Sequence, residues 1–305
     1  MPENARTTVV VVTWRGVAHI TACLDALAAQ ERPHRTLVVD NASDDGTARL
    51  IAEHPAKPEV LRLPRNLGYA GAIDAALRVV ETPLMAWLND DAVPSPDWLT
   101  RLEDALGPAA AAGSRLEDAE GGVQSLGVRL TPDGHGADTT RLPAFGFCGG
   151  AVLLRTDVLR EIGGIPADFF CYYEDTDTSW RLRLAGHDLV AVPDARVTHL
   201  HGASSRPGSP AFHRWNERNR LLMLMRCAPA AIALRETARF MAITALLPFR
   251  ENVPDAPNFR VRLRCRVLAE ILLRLPATLR ARRGITRRST VGRHDVWRNW
   301  ARACD

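Results

Sequence analysis

Adjacent carboxylates at the end of an apolar run are the first residues in this chain that call for a chemical explanation. Asn89, Asp90 and Asp91 follow Leu84-Met85-Ala86-Trp87-Leu88 directly. At the mouth of a buried strand such a pair suffers desolvation and mutual repulsion, which a divalent cation or solvent relieves. Side chains alternate along an extended backbone, so Asn89 and Asp91 share one side and Asp90 faces the other. Asp91 is therefore the predicted metal ligand, with Asn89 and Asp90 supplying ribose or supporting hydrogen bonds; the plainer alternative is a solvated loop start. Asp40 opens Asp-Asn-Ala-Ser-Asp-Asp-Gly-Thr and is placed to accept the imide N–H of uracil or thymine. Asn, Ser, Asp and Gly equally suit a strand-to-helix turn for local reasons. Arg65, Asn66 and Gly68 form a further polar turn, where Asn66 also suits a helix cap.

A second acidic cluster, Glu174-Asp175-Thr176-Asp177-Thr178-Ser179-Trp180-Arg181, opens a helix. Asp177 and Arg181 have the i, i+4 spacing of a helix-surface ion pair, which makes Asp177 structural. Asp175, in the first turn, is kept ionised by the helix N-terminus and is placed to take a proton from an acceptor hydroxyl. Such assistance is worth about 100- to 10,000-fold in rate. Glu174 is its rival, and sequence alone does not choose. His199 and His201 fall on the same side of a predicted strand over 197–201, where a neutral imidazole serves either as a metal ligand or structurally.

These residues need a scaffold that brings them together, and the first ninety residues supply the pattern of one. Short β-branched runs alternate with amphipathic helical stretches, as in a parallel sheet covered by helices. Strands are predicted over 8–12, 36–39, 60–63 and 84–88, the last buried on both faces, with helices through Ile20–Ala28, from Gly46 and over 68–80. In open parallel sheets ligands bind beyond the carboxyl ends of the strands, so Thr13, Asp40 and Asn89 to Asp91 should converge on one crevice. Residues 116–143 read as loop or short irregular strands facing an acceptor. A strand over 151–154, a helix over 175–185 and two strands, 189–192 and 196–200, follow. The Gly, Ser and Pro cluster over 202–210 marks a boundary, beyond which the chain is predicted helical.

Length and composition suit a globular enzyme of one large domain with an appendage: 305 residues, 46% hydrophobic and 24% charged. The six cysteines include no C-x-x-C pair, so neither a zinc site nor a redox pair is suggested. The N-terminus lacks the regions of a signal peptide, and no apolar stretch is long enough to span a membrane, which predicts a cytoplasmic protein. Gly-x-Gly-x-x-Gly, the P-loop, Gly-x-Ser-x-Gly and His-Glu-x-x-His are all absent, which removes the standard dehydrogenase, kinase and hydrolase signatures. No nucleic-acid partner is indicated. Lysine occurs once, at Lys57, so the chain uses arginine for nearly all its positive charge.

Taken in order, the motifs resemble the family 2 glycosyltransferases of GT-A fold, especially bacterial rhamnosyltransferase-like members. The matching segments are Val-Val-Val-Thr-Trp-Arg, Val-Val-Asp-Asn-Ala-Ser-Asp-Asp-Gly-Thr, Arg-Asn-Leu-Gly-Tyr-Ala-Gly, Leu-Asn-Asp-Asp-Ala-Val-Pro, Phe-Cys-Gly-Gly-Ala-Val-Leu-Leu-Arg, Tyr-Tyr-Glu-Asp-Thr-Asp-Thr-Ser-Trp-Arg and Val-Thr-His-Leu-His-Gly-Ala-Ser, over residues 7–220. The resemblance implies an α/β fold with a Rossmann-like, mostly parallel sheet flanked by helices and a helical C-terminal extension. It divides the chain into a catalytic domain over 1–205, with a nucleotide-sugar half over 1–92 and an acceptor half over 93–205, and a basic helical region over 206–305. It also implies inverting transfer from a nucleoside diphosphate sugar, dTDP-L-rhamnose or a UDP-sugar, to a glycan, lipid-linked or small-molecule acceptor. In that scheme Asp40 meets the base, Asp91 takes the D-x-D position with Mg²⁺ or Mn²⁺, and Asp175 is the general base. His199 matches the metal or diphosphate histidine, and Arg218, beside Asn219, reaches the diphosphate. The sequence departs from the family at Asn89, where aspartate is common.

Over 260–305 there are 13 arginines against three acidic residues. Leu263, Val267, Ile271, Leu275 and Leu279 continue at helical spacing, although 259–267 alternates like a strand; a helix is expected. A basic amphipathic helix there either lies on an anionic inner membrane, near a lipid-linked acceptor, or packs on the catalytic domain or a second subunit. Two rival functions remain. A sugar-nucleotide nucleotidyltransferase needs a Gly- and Lys/Arg-rich loop after the first strand, which Val-Val-Thr-Trp-Arg-Gly-Val does not supply. A non-catalytic carbohydrate-binding protein has no need of Asp40, Asp91, Asp175 and His199 together.

Overall fold

A computed structural model describes residues 4–199 and 208–301. The chain begins with β1 (Thr7–Thr13), α1 (Ile20–Ala28), β2 (Arg35–Asp40), α2 (Thr47–Glu53), β3 (Glu59–Arg62), α3 (Gly68–Leu77) and β4 (Leu84–Asn89). These make a parallel β-α-β succession, with β1 paired in parallel to both β2 and β4, and β2 to β3. Every residue of β1 is buried. Because strand side chains alternate, Val10 and Val12 enter one core while Val9 and Val11 enter the other. Burial on both faces is what a continuous valine run encodes, each fully buried side chain contributing about 1.5–3 kcal/mol.

Beyond β4 the pattern changes. β5 (Ala92–Pro94), α4 (Trp98–Leu106), β6 (Ala111–Glu117), the short strands β7 (Val123–Ser125), β8 (Val128–Leu130) and β9 (Gly136–Asp138), β10 (Ala151–Arg155), α5 (Thr156–Glu161), α6 (Glu174–Leu184) and β11 (Leu189–His199) follow. The strand order is β3-β2-β1-β4-β10-β6-β11-β5, with β7 beside β6 and a separate β8-β9 pair. The sheet is thus parallel through β4 and mixed after it, since β10 runs antiparallel to both β4 and β6. The segment expected to be loop or short irregular strands contains β7, β8 and β9. The two strands expected over 189–200 are one, β11, whose register shifts between Val192 and Arg196. The shift spans Pro193, which cannot donate to the ladder, so the strand bulges there instead of ending.

The C-terminal helices are α7 (Pro210–Cys227), α8 (Ala230–Leu246), α9 (Val261–Arg288) and α10 (Arg293–Trp300). The helix expected through Leu263 to Leu279 is therefore present and longer than its leucine spacing required. Leu221, Leu222, Val267, Ile271, Ile285 and Val296 join the same core as Val10, Trp87 and Trp180. One apolar core therefore runs from the sheet into the helical extension. Among the described residues, no helix is long and apolar enough to cross a membrane.

Candidate active site

A cavity of about 540 Å³ opens where β1, β2 and β4 end, and the opposite wall comes from the start of α6 and the first turns of α7. Asn66, Gly68, Asn89, Asp90, Asp91, Glu174, Asp175 and His199 all line it, residues spread over more than a hundred positions of sequence. Their convergence is the main prediction of the sequence that the geometry carries.

At the end of β4 the expected alternation holds. Asp91 Oδ1 lies 3.2 Å from His199 Nε2, and Asn89 Nδ2 lies 3.1 Å from the same nitrogen. Asp90 turns the other way and accepts a 2.6 Å hydrogen bond from Thr13 Oγ1. Burial is the main force on Asp90, raising its carboxyl to about 7 despite the Thr13 bond, with the neighbouring Asp91 charge adding to the rise. Burial pushes Asp91 the same way, but the hydrogen bond and charge of His199 outweigh it and hold that carboxyl below its usual range. β5 and β11 place the pair, since His199 is paired with Ala92 in their antiparallel ladder. His199 Nδ1 is 3.4 Å from Gln124 Oε1 of β7; with both ring nitrogens protonated Nε2–H donates to Asp91, and with the proton on Nδ1 alone Nε2 turns a lone pair to a cation instead.

Those atoms can ligate a divalent cation: a carboxylate oxygen, the ligand type of Mg²⁺ and Mn²⁺, and an imidazole nitrogen, a borderline ligand, with open cavity beside them. Among the described residues no three His, Cys, Asp or Glu side chains gather around one point. Mg²⁺ commonly takes only one or two protein carboxylates and completes its shell with water and substrate phosphates, so two protein ligands are compatible with a donor-bound ion. His201 lies outside the described residues.

On the other side of the cavity, Asp175 is oriented by the backbone. Asp175 Oδ2 accepts from the Gly149 N–H at 3.0 Å, and Oδ1 accepts from Thr176 N and from Thr176 Oγ1. The carbonyl of the same Gly149 accepts a 2.8 Å bond from the Tyr69 hydroxyl of α3. Burial raises the Asp175 carboxyl, with the Gly149 and Thr176 N–H bonds pulling against it. Glu174 is raised to about 8, by burial first and then by the Asp175 charge. Its Oε2 has no hydrogen-bond partner among the described residues.

The turn that delivers this pair is strained. Phe170, Tyr172 and Tyr173 all have positive φ, at 69, 71 and 69°. A left-handed aromatic residue costs of order 1–3 kcal/mol and persists only where its surroundings over-determine it. The surroundings here are a side-chain latch. Asn219 Nδ2 lies within 3.0, 2.8 and 2.8 Å of the carbonyl oxygens of Phe169, Cys171 and Tyr172, and Arg218 Nη2 donates to Phe169 O at 2.6 Å. The Phe170 carbonyl accepts from Ala70 N–H at 3.1 Å, and a Cβ on Gly68 would collide with it, which is why glycine stands there at a φ of +74°.

Four predicted site residues stand off the cavity wall. Thr13 reaches the site only through Asp90. Asp40, predicted to meet the base, is fully buried, with its oxygens occupied by Ser43 N–H at 2.8 Å and the Arg62 guanidinium. The next residue, Asn41, lines the cavity instead and bonds Asn66 Oδ1, Gly68 O and Leu67 N. Arg65 is exposed to solvent. Arg218, predicted to reach a diphosphate, is buried and committed to the turn latch and to Glu270, whose Oε2 is 2.9 Å away. The Asp177–Arg181 pair is structural as expected but lies inside the protein, at 2.7 Å, with Asp177 also paired to Arg226 at 3.2 Å. Asn66 Oδ1 accepts from Gly68 N–H at 2.7 Å, closing the turn before α3.

Sequence reasoning missed several wall residues: Trp14 and Asn41, polar-turn neighbours of Thr13 and Asp40, and Tyr69, beside Gly68, with Asp138, Tyr172 and Trp215. The first three were adjacent to the signal; the other aromatic residues carry none that separates them from core.

A parallel half ending in polar turns, joined through an acidic strand end to a mixed half carrying a second carboxylate pair, defines the GT-A architecture of enzymes that use nucleotide sugars. Comparison with known proteins agrees. The glycosyl transferase family 2 profile matches residues 8–163, and the chain belongs to that family and is a glycosyltransferase. It is 28% identical over 245 residues, 67% of this chain and 79% of the relative, to the N-acetylglucosaminyl-diphospho-decaprenol L-rhamnosyltransferase of Mycobacterium tuberculosis. In fold it is similar to a Pyrobaculum calidifontis mannosyltransferase in complex with GDP-Man and Mn²⁺, with a TM-score of 0.56 and 19% identity over 93% of this chain and 85% of that one. It is also similar to GalNAc-T7 with UDP, GalNAc and Mn²⁺, with a TM-score of 0.63 and 13% identity over 90% of this chain and 58% of that one.

Proposed function

We propose that the protein transfers a sugar, with inversion, from a nucleoside diphosphate sugar to an acceptor hydroxyl, with Asp175 as general base. The observation that carries this is the opening of the Asp91–His199 pair and the Glu174–Asp175 pair onto one cavity. Asp91 and His199 would hold Mg²⁺ or Mn²⁺, which supplies charge neutralisation for the departing diphosphate. Asp175 takes the proton of the acceptor hydroxyl as its oxygen bonds the anomeric carbon and the bond to the diphosphate breaks. One displacement from the opposite face inverts that carbon. Glu174, whose carboxyl is held near 8, stays largely protonated at neutral pH, and Asp175, whose oxygens accept from the Gly149 and Thr176 N–H groups, is assigned the role of the member that ionises. The nucleotide base is assigned to the turns after β1, β2 and β3, where Trp14, Asn41 and Asn66 line the cavity.

The similarity to a rhamnosyltransferase named for a lipid-linked acceptor favours dTDP-L-rhamnose over UDP-sugars and an acceptor on a polyprenyl diphosphate. Residues 1–205 are assigned to catalysis and 206–305 to a supporting helical region. The test is thermal stabilisation by dTDP- and UDP-sugars with and without Mn²⁺, followed by product analysis. Metal-dependent stabilisation that Asp91→Ala removes, together with an inverted anomer in the product, is expected. Pyrophosphate release when a nucleoside triphosphate and a sugar 1-phosphate are supplied instead would favour a nucleotidyltransferase, and stabilisation without turnover a carbohydrate-binding protein.

A further inference from the structure

The four most exposed large apolar side chains among the described residues are Phe249 at 84%, Leu273 at 79%, Leu234 at 71% and Leu272 at 70%, all within the C-terminal helical region. On α9 their arrangement is regular. The inward stripe is Arg264, Val267, Ile271, Thr278 and Ile285, at helical spacing and buried. Opposite it an outward line runs through Arg262, Arg266, Leu273, Arg280 and Arg287, with Leu272, Leu279 and Arg283 beside it. The outward face therefore has an apolar middle bracketed by arginines at both ends. A solvated helix face of this length would be polar throughout.

Charge decides which occupant suits it. Over 256–294 the single carboxylate is Glu270, and its oxygens face arginines: Arg218 at 2.9 Å, Arg266 at 3.2 Å and Arg214 at 3.7 Å. A second copy of the chain would set the same arginines against each other across a two-fold axis without acidic partners. A bilayer bearing negative headgroups offers both what the leucines and what the arginines lack. We propose that the outward face of α9 docks on an anionic lipid surface, leucines at the acyl boundary and arginines among the phosphates. α9 packs along α7, whose Phe212, Trp215 and Asn216 wall the cavity, so one helix joins the docked face to the reaction site. This goes beyond the transfer reaction and does not depend on which sugar is moved.

The test is co-sedimentation of the full chain with phosphatidylglycerol-containing vesicles and with pure phosphatidylcholine vesicles. Binding is expected only to the anionic vesicles and should weaken at high salt. Leu272→Ser with Leu273→Ser should lower the partition coefficient about tenfold, and Arg280→Gln or Arg283→Gln about fivefold each. Circular dichroism and melting temperature should stay unchanged, because these side chains point away from the core. Equal binding to neutral vesicles, or full binding by the leucine variant, would overturn the proposal. So would a concentration-dependent dimer that the leucine variant dissolves while no vesicle binding is seen, since the face would then belong to a second copy.

Discussion

The two halves of the site are positioned by different means. In the half proposed to hold the donor, β1 and β4 run in parallel register, so Asn89, Asp90 and Asp91 arrive at the crevice because the ladder ends there. In the half proposed to face the acceptor, Glu174 and Asp175 follow a turn with three aromatic residues at positive φ, held in place by Asn219 from a helix later in the chain. A ladder distributes its stability over many bonds, whereas a latch concentrates it in one side chain. Substitutions near the donor should therefore act through contacts with ligand, and substitutions near the acceptor through geometry.

The largest effect expected is at the base. Asp175→Asn should lower transfer by about 100- to 10,000-fold while donor affinity, measured by calorimetry, stays unchanged; a parallel loss of donor binding would show that the halves are not separable. Next is the latch. Asn219→Ala leaves the carbonyls of Cys171 and Tyr172 without that donor and should cost about 3 kcal/mol in urea unfolding, with kcat falling and donor affinity retained. Unchanged stability and kcat would dissolve the contrast between ladder and latch. Gln124→Ala probes the bridge between halves: it removes the partner of His199 Nδ1 and should weaken Mn²⁺ affinity about tenfold, read by metal titration.

The smallest effect is a shift in pH dependence. Glu174 has a folded-state carboxyl at about 8, above its usual 4.5, so the native state holds a proton that the unfolded chain releases. Its contribution to stability is complete below pH 4.5 and is lost as pH rises through about 8. Glu174→Gln should flatten the fall in melting temperature across that window. It should leave the rising limb of the activity profile in place, because Glu174 is already neutral where Asp175 ionises and the charge that raises Asp175 is that of Asp138. A rising limb moved to lower pH would show that Glu174 and Asp175 share the titration of the base.

What was legible in the sequence follows the same division. The valine run of β1 and the apolar run of β4 announce buried strands, and alternation after Leu88 correctly separates Asp91 from Asp90. The same logic failed one residue away at β2, where Asp40 turns into the protein toward Arg62 and Asn41 faces the cavity. Which side of a strand end meets the crevice depends on the turn that follows. The latch was half visible: the Arg218-Asn219 pair stood out, but as a diphosphate contact, because nothing local to it shows that Phe169–Tyr172 is its partner. The strained turn was invisible, since residues 170–173 contain no glycine to mark a positive φ. The joining of 189–192 and 196–199 into β11 was hidden by Pro193, which reads as an end and acts as a bulge.

The length of chain between Asp91 and His199 bears on how the enzyme is made. Their meeting requires β11 to pair with both β6 and β5, among the most distant strand pairings in the sheet. Contacts of such sequence separation are entropically expensive and tend to close late. A nascent chain synthesised through α6 already carries every carboxylate of the cavity but not the imidazole. The proposed two-residue ion site is thus completed only when the second half of the sheet closes, and metal binding there, if a titration finds it, would report a finished fold.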